Sequence, residues 1–336
     1  MDNNESRTVG RRSRQKHRRS RHIWRWFVII GLTSFIVLGG ASAYIVYQIM
    51  TVTADNNEPL ERGEKSEMRE EAVDPGDDSI SMLFLGVDSR DGDLSGRTDA
   101  MILATFNKED DSVKMVSIPR DSLVHIPGRD SRDKISHAHA FGGTDLAVET
   151  VEQLFDIPVD YYTKMNFTAF IEIIDTLGGI EVDSPLAFTE MDSEDNHDAI
   201  TIEEGEQVLD GEEALAYARM RKQDPAGDIG RGNRQQDIIE GVIERGTSFS
   251  TITQFGSVLD SIDRHMVTNL SFGNLLSLHN YAGSVGEIEQ HTLDGTDLRL
   301  DYGYYFEIDE GALQELSGTL QNHLQMNEDV QNAEDE

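Results

Sequence analysis

Apolar and polar positions change period several times along the chain. Ser81-Met82-Leu83-Phe84-Leu85, Ala100 to Phe106 and Val113 to Ile118 are short apolar runs of the length of buried strands. The last two flank the polar turn Asn107-Lys108-Glu109-Asp110-Asp111-Ser112, which predicts a hairpin. Helical spacing then takes over from Thr144 to Phe155 and from Phe167 to Leu177, where Gly178-Gly179 ends the helix before a strand at Ile180-Glu181-Val182. Asp210 with Glu213 three residues on predicts a capping box that opens a helix running through Ala218. Asn233 to Arg245 is amphipathic; further helices are expected at Ile252 to Ile262, Phe272 to Tyr281 and Ala312 to Leu324, with a strand near Ile288. Strands interleaved with helices make this an α/β chain.

One stretch has no period at all. Trp26 to Thr53 contains no Asp, Glu, Lys or Arg, which exceeds the roughly 20 apolar residues that cross a bilayer. Residues 1–22 carry eight Lys and Arg, and Trp24 and Trp26 suit one headgroup layer while Tyr44 and Tyr47 suit the other. The pattern predicts a basic cytoplasmic tail (1–22), one transmembrane helix (23–50) and an extracellular remainder, hence a single-pass protein of the cell membrane. A signal peptide cleaved after Ala41-Ser42-Ala43 is the competing reading. The apolar run continues to Met50, too far for such a peptide, and either way the bulk is exported. Residues 51–78 are acidic and lack apolar periodicity, so they read as a linker. Residues 79–246 hold the core motifs, 247–325 form the C-terminal part of the extracellular domain, and 326–336 an acidic tail.

Charge sharpens the picture. The formal net charge is −34, which argues against nucleic acid as a partner. There is no cysteine, so neither disulfides nor thiolate metal sites are possible. Of 29 Lys and Arg, nine precede residue 51, leaving twenty against sixty-one acids. Ten of those twenty lie in or beside a few short phrases: Gly86-Val87-Asp88-Ser89-Arg90, Gly96-Arg97-Thr98-Asp99, Pro119-Arg120-Asp121, Asp133-Lys134-Ile135, Arg219-Met220-Arg221 and Arg231-Gly232-Asn233-Arg234-Gln235. Cations so scarce and so clustered point to an anionic ligand.

Strand polarity brings these phrases together. If the first two strands pair antiparallel, Asp88, Asp99 and Arg120 fall at one sheet edge. Two carboxylates without Cys suit a hard ion such as Mg²⁺, which keeps waters and shares substrate phosphates. Arginine forks suit phosphate oxygens. Arg219 and Arg221 lie on one side of an extended segment but on opposite sides of a helix, so the helix is expected to end near Ala218. Arg231, Arg234 and Gln235, at i, i+3 and i+4, share one face of a helix start, where the backbone dipole also favours an anion. Together they could hold a pyrophosphate. His137 and His139 have ligand spacing on a strand, but no third ligand is nearby. Asp156 and Asp160 flank a proline as turn residues.

The phrases Phe84 to Arg90, Arg97-Thr98-Asp99-Ala100-Met101, Val116 to Asp121, Asp133-Lys134-Ile135, Gly142-Gly143, Leu209 to Arg221 and Gly230 to Gln236 resemble, in that order, the LytR–CpsA–Psr family. The resemblance spans about residues 79–245. It implies a central mixed sheet flanked by helices, with an apolar cavity for a polyprenyl chain. It also implies an enzyme, a phosphotransferase that moves an anionic glycopolymer such as wall teichoic acid or capsule from a polyprenyl-pyrophosphate carrier to a peptidoglycan sugar hydroxyl. By matching motif, Asp88 and Asp99 would coordinate Mg²⁺, with Mn²⁺ the alternative, and Arg90, Arg97, Arg120, Lys134, Arg219, Arg221, Arg231, Arg234 and Gln235 would grip the diphosphate. Asp88, Asp99, Arg97 and Arg120 would form the catalytic group. Ser136-His137-Ala138-His139-Ala140 departs from the family pattern, which more often has Asn and aromatic residues there. Asp99 and Asp121 are both candidates for the acceptor's base. A non-catalytic binder of wall polymer and a lipid-pyrophosphate hydrolase remain the alternatives. The paired aspartates would be superfluous in the first, and water would replace the sugar hydroxyl in the second.

Overall fold

The computed structural model describes residues 58–87, 94–246, 266–278, 288–301 and 303–326. The expected tail and membrane helix, the helix at 252–262, residues 279–281 of the next helix and positions 327–336 lie outside them. No described helix is long and apolar enough to cross a membrane. In chain order the elements begin with β1 (Ile80–Val87), β2 (Thr98–Asn107), β3 (Ser112–Ser117), β4 (Leu123–His125), β5 (Arg132–Lys134), α1 (Ser136–Phe155), β6 (Tyr161–Asn166) and α2 (Phe167–Leu177). They continue with β7 (Ile180–Ser184), β8 (Phe188–Glu190), β9 (Ile200–Ile202), β10 (Gly205–Leu209), α3 (Gly211–Arg219) and α4 (Asp228–Gly246). The last are β11 (Met266–Thr268), α5 (Phe272–Leu278), β12 (Ile288–Thr292), β13 (Gly295–Leu300), β14 (Gly303–Ile308) and α6 (Glu310–His323).

The three apolar runs form the middle of a six-stranded mixed sheet ordered β11-β6-β1-β2-β3-β12. β1 pairs antiparallel with β2 and β2 with β3, whereas β6 runs parallel to β1 and β12 parallel to β3. β1 to β3 are apolar almost throughout because both sheet faces are covered. Leu83, Leu85, Met101 and Leu103 pack towards Val148, Val151 and Phe155 of α1 and Leu320 of α6. Ile80, Met82, Ile102 and Met115 form the core of the other face. A third cluster, with Ile174, Ile180, Leu209, Tyr217 and Ile238, holds α2, α3, α4 and the β7–β10 ribbon together.

Local signals place the helices that build the site. Asn166 caps α2 by accepting from the Ala169 amide, and left-handed Gly178 (φ 78°) ends it. The capping box of Asp210 and Glu213 opens α3. α1 is longer than its apolar period suggests. Gly142 and Gly143 (φ 67°) break it, and the turn before the break contains His137 and His139. Those two side chains are therefore on a helix, not a strand, and diverge: His137 meets Asp133 at 3.1 Å, and His139 donates to the Gly96 carbonyl at 2.7 Å.

Residues 58–78 are not a free linker. Leu60 is in the core, Arg62 meets Glu152 at 2.5 Å, and Arg69 makes a two-point contact with Asp160 at 3.0 and 2.7 Å. Asp160, expected in an exposed turn, is buried and also accepts from the Ser81 amide. These charges look solvated in sequence because their partners are some 90 residues away.

At the far end of the sheet His323 is buried between two hydroxyls, Thr105 Oγ1 at 2.7 Å from Nδ1 and Ser112 Oγ at 2.9 Å from Nε2. Burial, with Lys114 nearby, pushes its pKa down to about 4, although Asp110 and Glu289 oppose the shift. The folded value lies below the unfolded value of about 6.5, so the contribution is fully present above pH ~6.5 and is lost as the pH falls towards 4, by on the order of 3 kcal/mol. His323→Gln should flatten this part of the acid response. The check is thermal unfolding of both proteins at pH 7 and 4.5, and a gap between them that does not change with pH would contradict it.

Candidate active site

A cavity of about 430 Å³ opens between one sheet face and the helices α2, α3 and α4. Phe84 and Ile102, cross-strand partners on β1 and β2, line it together with Phe167, Phe170, Leu215 and Ile238. Five cations, Arg120, Arg219, Arg221, Lys222 and Arg231, line the same cavity, with Asp99 and Gln235. An apolar slot joined to a cationic edge fits an amphiphile with a polyanionic head.

Each cation is placed by its element. Asp99 is the second residue of β2 and Arg120 follows β3, so antiparallel pairing brings them to one edge, where Arg120 Nη1 meets Asp99 Oδ1 at 2.7 Å. Burial works against the charge of Arg120, yet Asp99 outweighs it and raises its pKa. α3 ends at Arg219, one residue beyond the expected position, and Met220 is extended (φ −59°, ψ 130°) and fully buried. With Met220 turned into the core, Arg219 and Arg221 both face the cavity, as two residues flanking one in an extended segment do. Arg219 also reaches the Asp192 carbonyl at 3.2 Å and sits 5.1 Å over the Phe167 ring. On the first turns of α4, Arg231 meets Asp228 at 2.8 Å. Burial lowers its pKa and Asp228 opposes this, while Arg120 and Arg221 lower it further. Three guanidinium groups crowd one another here, a repulsion that a bound anion relieves.

The remaining expected residues divide differently. Gln235 lines the cavity, its side-chain amide 3.4 Å from the Ala218 carbonyl. Arg234 does not, because it is 2 % exposed and wholly engaged behind the wall. Its Nε donates to the Tyr217 carbonyl at 3.0 Å and its other nitrogens bond the Met220 carbonyl and Asp224. It thereby satisfies carbonyls that the end of α3 leaves open and fixes the segment bearing Arg219 and Arg221. Lys134 also stands back, paired with Asp121 at 2.5 Å. Asp121 in turn lies 3.7 Å from Arg120 Nε. Arg97 is exposed and away from the cavity wall. Asp88 and Arg90 lie outside the described residues. Lys222, Asn166 and Glu190 line the cavity without having been anticipated. Only Lys222 had a signal, its place beside Arg221.

Among the described residues no group of three or more His, Asp or Glu could hold a metal. Asp99, facing the cavity, is nonetheless compatible with Mg²⁺, which uses one or two carboxylates and takes its other ligands from water and phosphate. The histidines diverge too far to suggest zinc.

Known proteins are similar to this chain in sequence and in fold. The chain is 40% identical over 305 residues to the polyisoprenyl-teichoic acid–peptidoglycan teichoic acid transferase TagU of Halalkalibacterium halodurans, covering 89% of this chain and 98% of the relative. Among solved structures, TagT bound to LIIa-WTA superposes with a TM-score of 0.69 at 39% identity, covering 80% of this chain and 99% of that one. The LytR-CPS2A-psr family protein YwtF (TagT) with bound octaprenyl pyrophosphate lipid superposes with a TM-score of 0.65 at 36% identity, with the same coverage. The model of the LytR_cpsA_psr family matches residues 43–322, which takes in the whole cavity and every phrase that builds it. With that match over most of its length, the chain belongs to the LytR–CpsA–Psr family.

Proposed function

We propose that this protein transfers an anionic glycopolymer of the wall teichoic acid class from a polyprenyl-pyrophosphate carrier to a sugar hydroxyl of peptidoglycan. The observation that carries the reading is the continuity of an apolar slot with five cations in one cavity. The slot takes the polyprenyl chain, and the arginines take the pyrophosphate through charge-assisted forks. The sugar hydroxyl oxygen bonds to the phosphorus that bears the glycopolymer, and the bridging P–O bond breaks. Its electron pair leaves with polyprenyl phosphate, and the product is a phosphodiester. Such a reaction needs positioning and charge neutralisation more than covalent help from the protein. Asp99 and Asp121 are both candidates to receive the hydroxyl proton: Asp99 lines the cavity beside Arg120, and Asp121 is paired with Lys134 next to it. Asp99 and Asp88 would hold Mg²⁺, or Mn²⁺, which would supply further charge neutralisation at the pyrophosphate.

The test is incubation of the protein with a teichoic-acid-bearing lipid pyrophosphate, with and without peptidoglycan. Polymer attached to peptidoglycan only when both are present supports transfer. Release of free phosphorylated polymer at the same rate without peptidoglycan would make it a hydrolase, and no turnover with tight binding would make it a binder.

A further inference from the structure

We propose that a second cavity, on the opposite face of the sheet, docks the acceptor: a neutral, polyhydroxylated sugar of the peptidoglycan glycan strand. The inference rests on the transfer reading above and gives its second substrate a place. The cavity measures about 440 Å³, within the range of small-molecule sites, and lies between residues 94–96, the Gly143 break in α1 and the end of β6. Lys164 lines it, while the next residue, Met165, lines the first cavity. Successive strand residues face opposite sides, so the two cavities flank the same strand end. Gly96, in the wall of the second, is three residues before Asp99, in the wall of the first.

The chemistry of the lining selects the ligand. His139 is 4 % exposed, and its Nδ1 lies 2.7 Å from the Gly96 carbonyl, which can only accept. Nδ1 therefore carries the proton. Burial, aided by Lys164, pushes the pKa of this ring below the ordinary histidine value against the Gly96 bond, so Nε2 keeps a lone pair. Among the described residues that atom is buried without a hydrogen-bond partner. An unsatisfied buried polar atom is destabilising, and a ligand hydroxyl would supply the missing donor. Lys164, itself buried, donates to Thr144 Oγ1 at 3.0 Å. Glu58 and Asp145 line the same cavity. One lysine against two carboxylates disfavours a polyphosphate, whereas a sugar offers both donors and acceptors without charge. Phe141 completes the wall with 44% of its surface exposed, held by the Arg129 guanidinium 3.8 Å from its centroid and by His137 edge-on at 5.7 Å. A partly exposed ring beside polar groups suits the apolar face of a pyranose.

The experiment is calorimetric titration of the full-length protein in detergent with two probes, an undecorated peptidoglycan glycan oligomer and octaprenyl pyrophosphate. Wild type should bind both. His139→Ala and Phe141→Ala should each weaken the glycan at least tenfold and leave octaprenyl pyrophosphate within twofold of wild type. If His139→Ala loses both ligands it has lost its fold, and Phe141→Ala, whose ring is at the surface, decides. Unchanged glycan affinity in Phe141→Ala, or a wild type that binds the pyrophosphate but not the glycan, overturns the proposal alone. A wild type that binds neither probe overturns the transfer reading with it. If the variants weaken a teichoic-acid-bearing lipid pyrophosphate and not the bare glycan, the cavity holds the donor's polymer and the proposal is wrong.

Discussion

Arg219→Lys and Arg221→Lys should each lower transfer from a short-chain polyprenyl-pyrophosphate donor by roughly 100-fold, the scale of losing one preorganised donor to a charge that develops in the transition state. Lysine keeps the charge and removes the planar fork, so the loss reports geometry, not net charge. Both side chains owe their direction to buried Met220 between them and to the bonds from Arg234 that hold this segment. Arg120→Lys should behave alike, since its guanidinium lines the same cavity. Groups that act on one diphosphate are not additive, so pairs of these changes should cost little more than the worse single one. Arg299, exposed on β13, is the control, and Arg299→Lys should stay within a few-fold of wild type. Normal turnover in Arg219→Lys and Arg221→Lys, or equal sensitivity at Arg299, would reduce the arginines to charge balance on an acidic surface.

How much of this site could be read from the chain depended on whether a residue's partners were local. Asp99 and Arg120 were legible because apolar runs fix which strands pair and pairing fixes which ends coincide. Arg219 and Arg221 were legible from a two-residue spacing at a helix end. Arg234 was not. It shares the start of α4 with Arg231 and Gln235, and only the open carbonyls of α3, a different element, decide that it turns into the wall. Lys134 failed for the same reason, its partner Asp121 being thirteen residues away on the far side of a short hairpin. β6 was missed because Thr163, Lys164 and Asn166 leave no apolar run, and the lysine is nonetheless buried, donating to Thr144 on α1. The packed segment 58–78 was mistaken for a linker because its arginines are neutralised by Glu152 and Asp160, which no local pattern foretells.

Asp99→Ala should abolish metal-dependent transfer while leaving the fold intact. The carboxylate is about one-third exposed and its bond to Arg120 is a partly solvated ion pair, so its removal should cost no more than about 1 kcal/mol of stability. The effect on the donor runs the other way from an arginine change. Without Asp99, Arg120 loses the nearer of its counter-charges, keeping Asp121 at 3.7 Å, while Arg221 and Arg231 remain close, so the cavity becomes more cationic and pyrophosphate binding should hold or tighten. The loss should therefore appear in kcat and not in KM for the donor, whereas the lysine variants lose both. Chelator gives the second reading: wild type should stop in excess chelator and recover with Mg²⁺, and any residual rate in Asp99→Ala should be indifferent to both. Asp99→Asn keeps an oxygen ligand but loses the charge, and should recover less than a tenth of the wild-type rate at saturating Mg²⁺. Full activity in Asp99→Ala, or a wild type unaffected by chelator, would remove the metal from the mechanism and leave the arginines alone to neutralise the pyrophosphate.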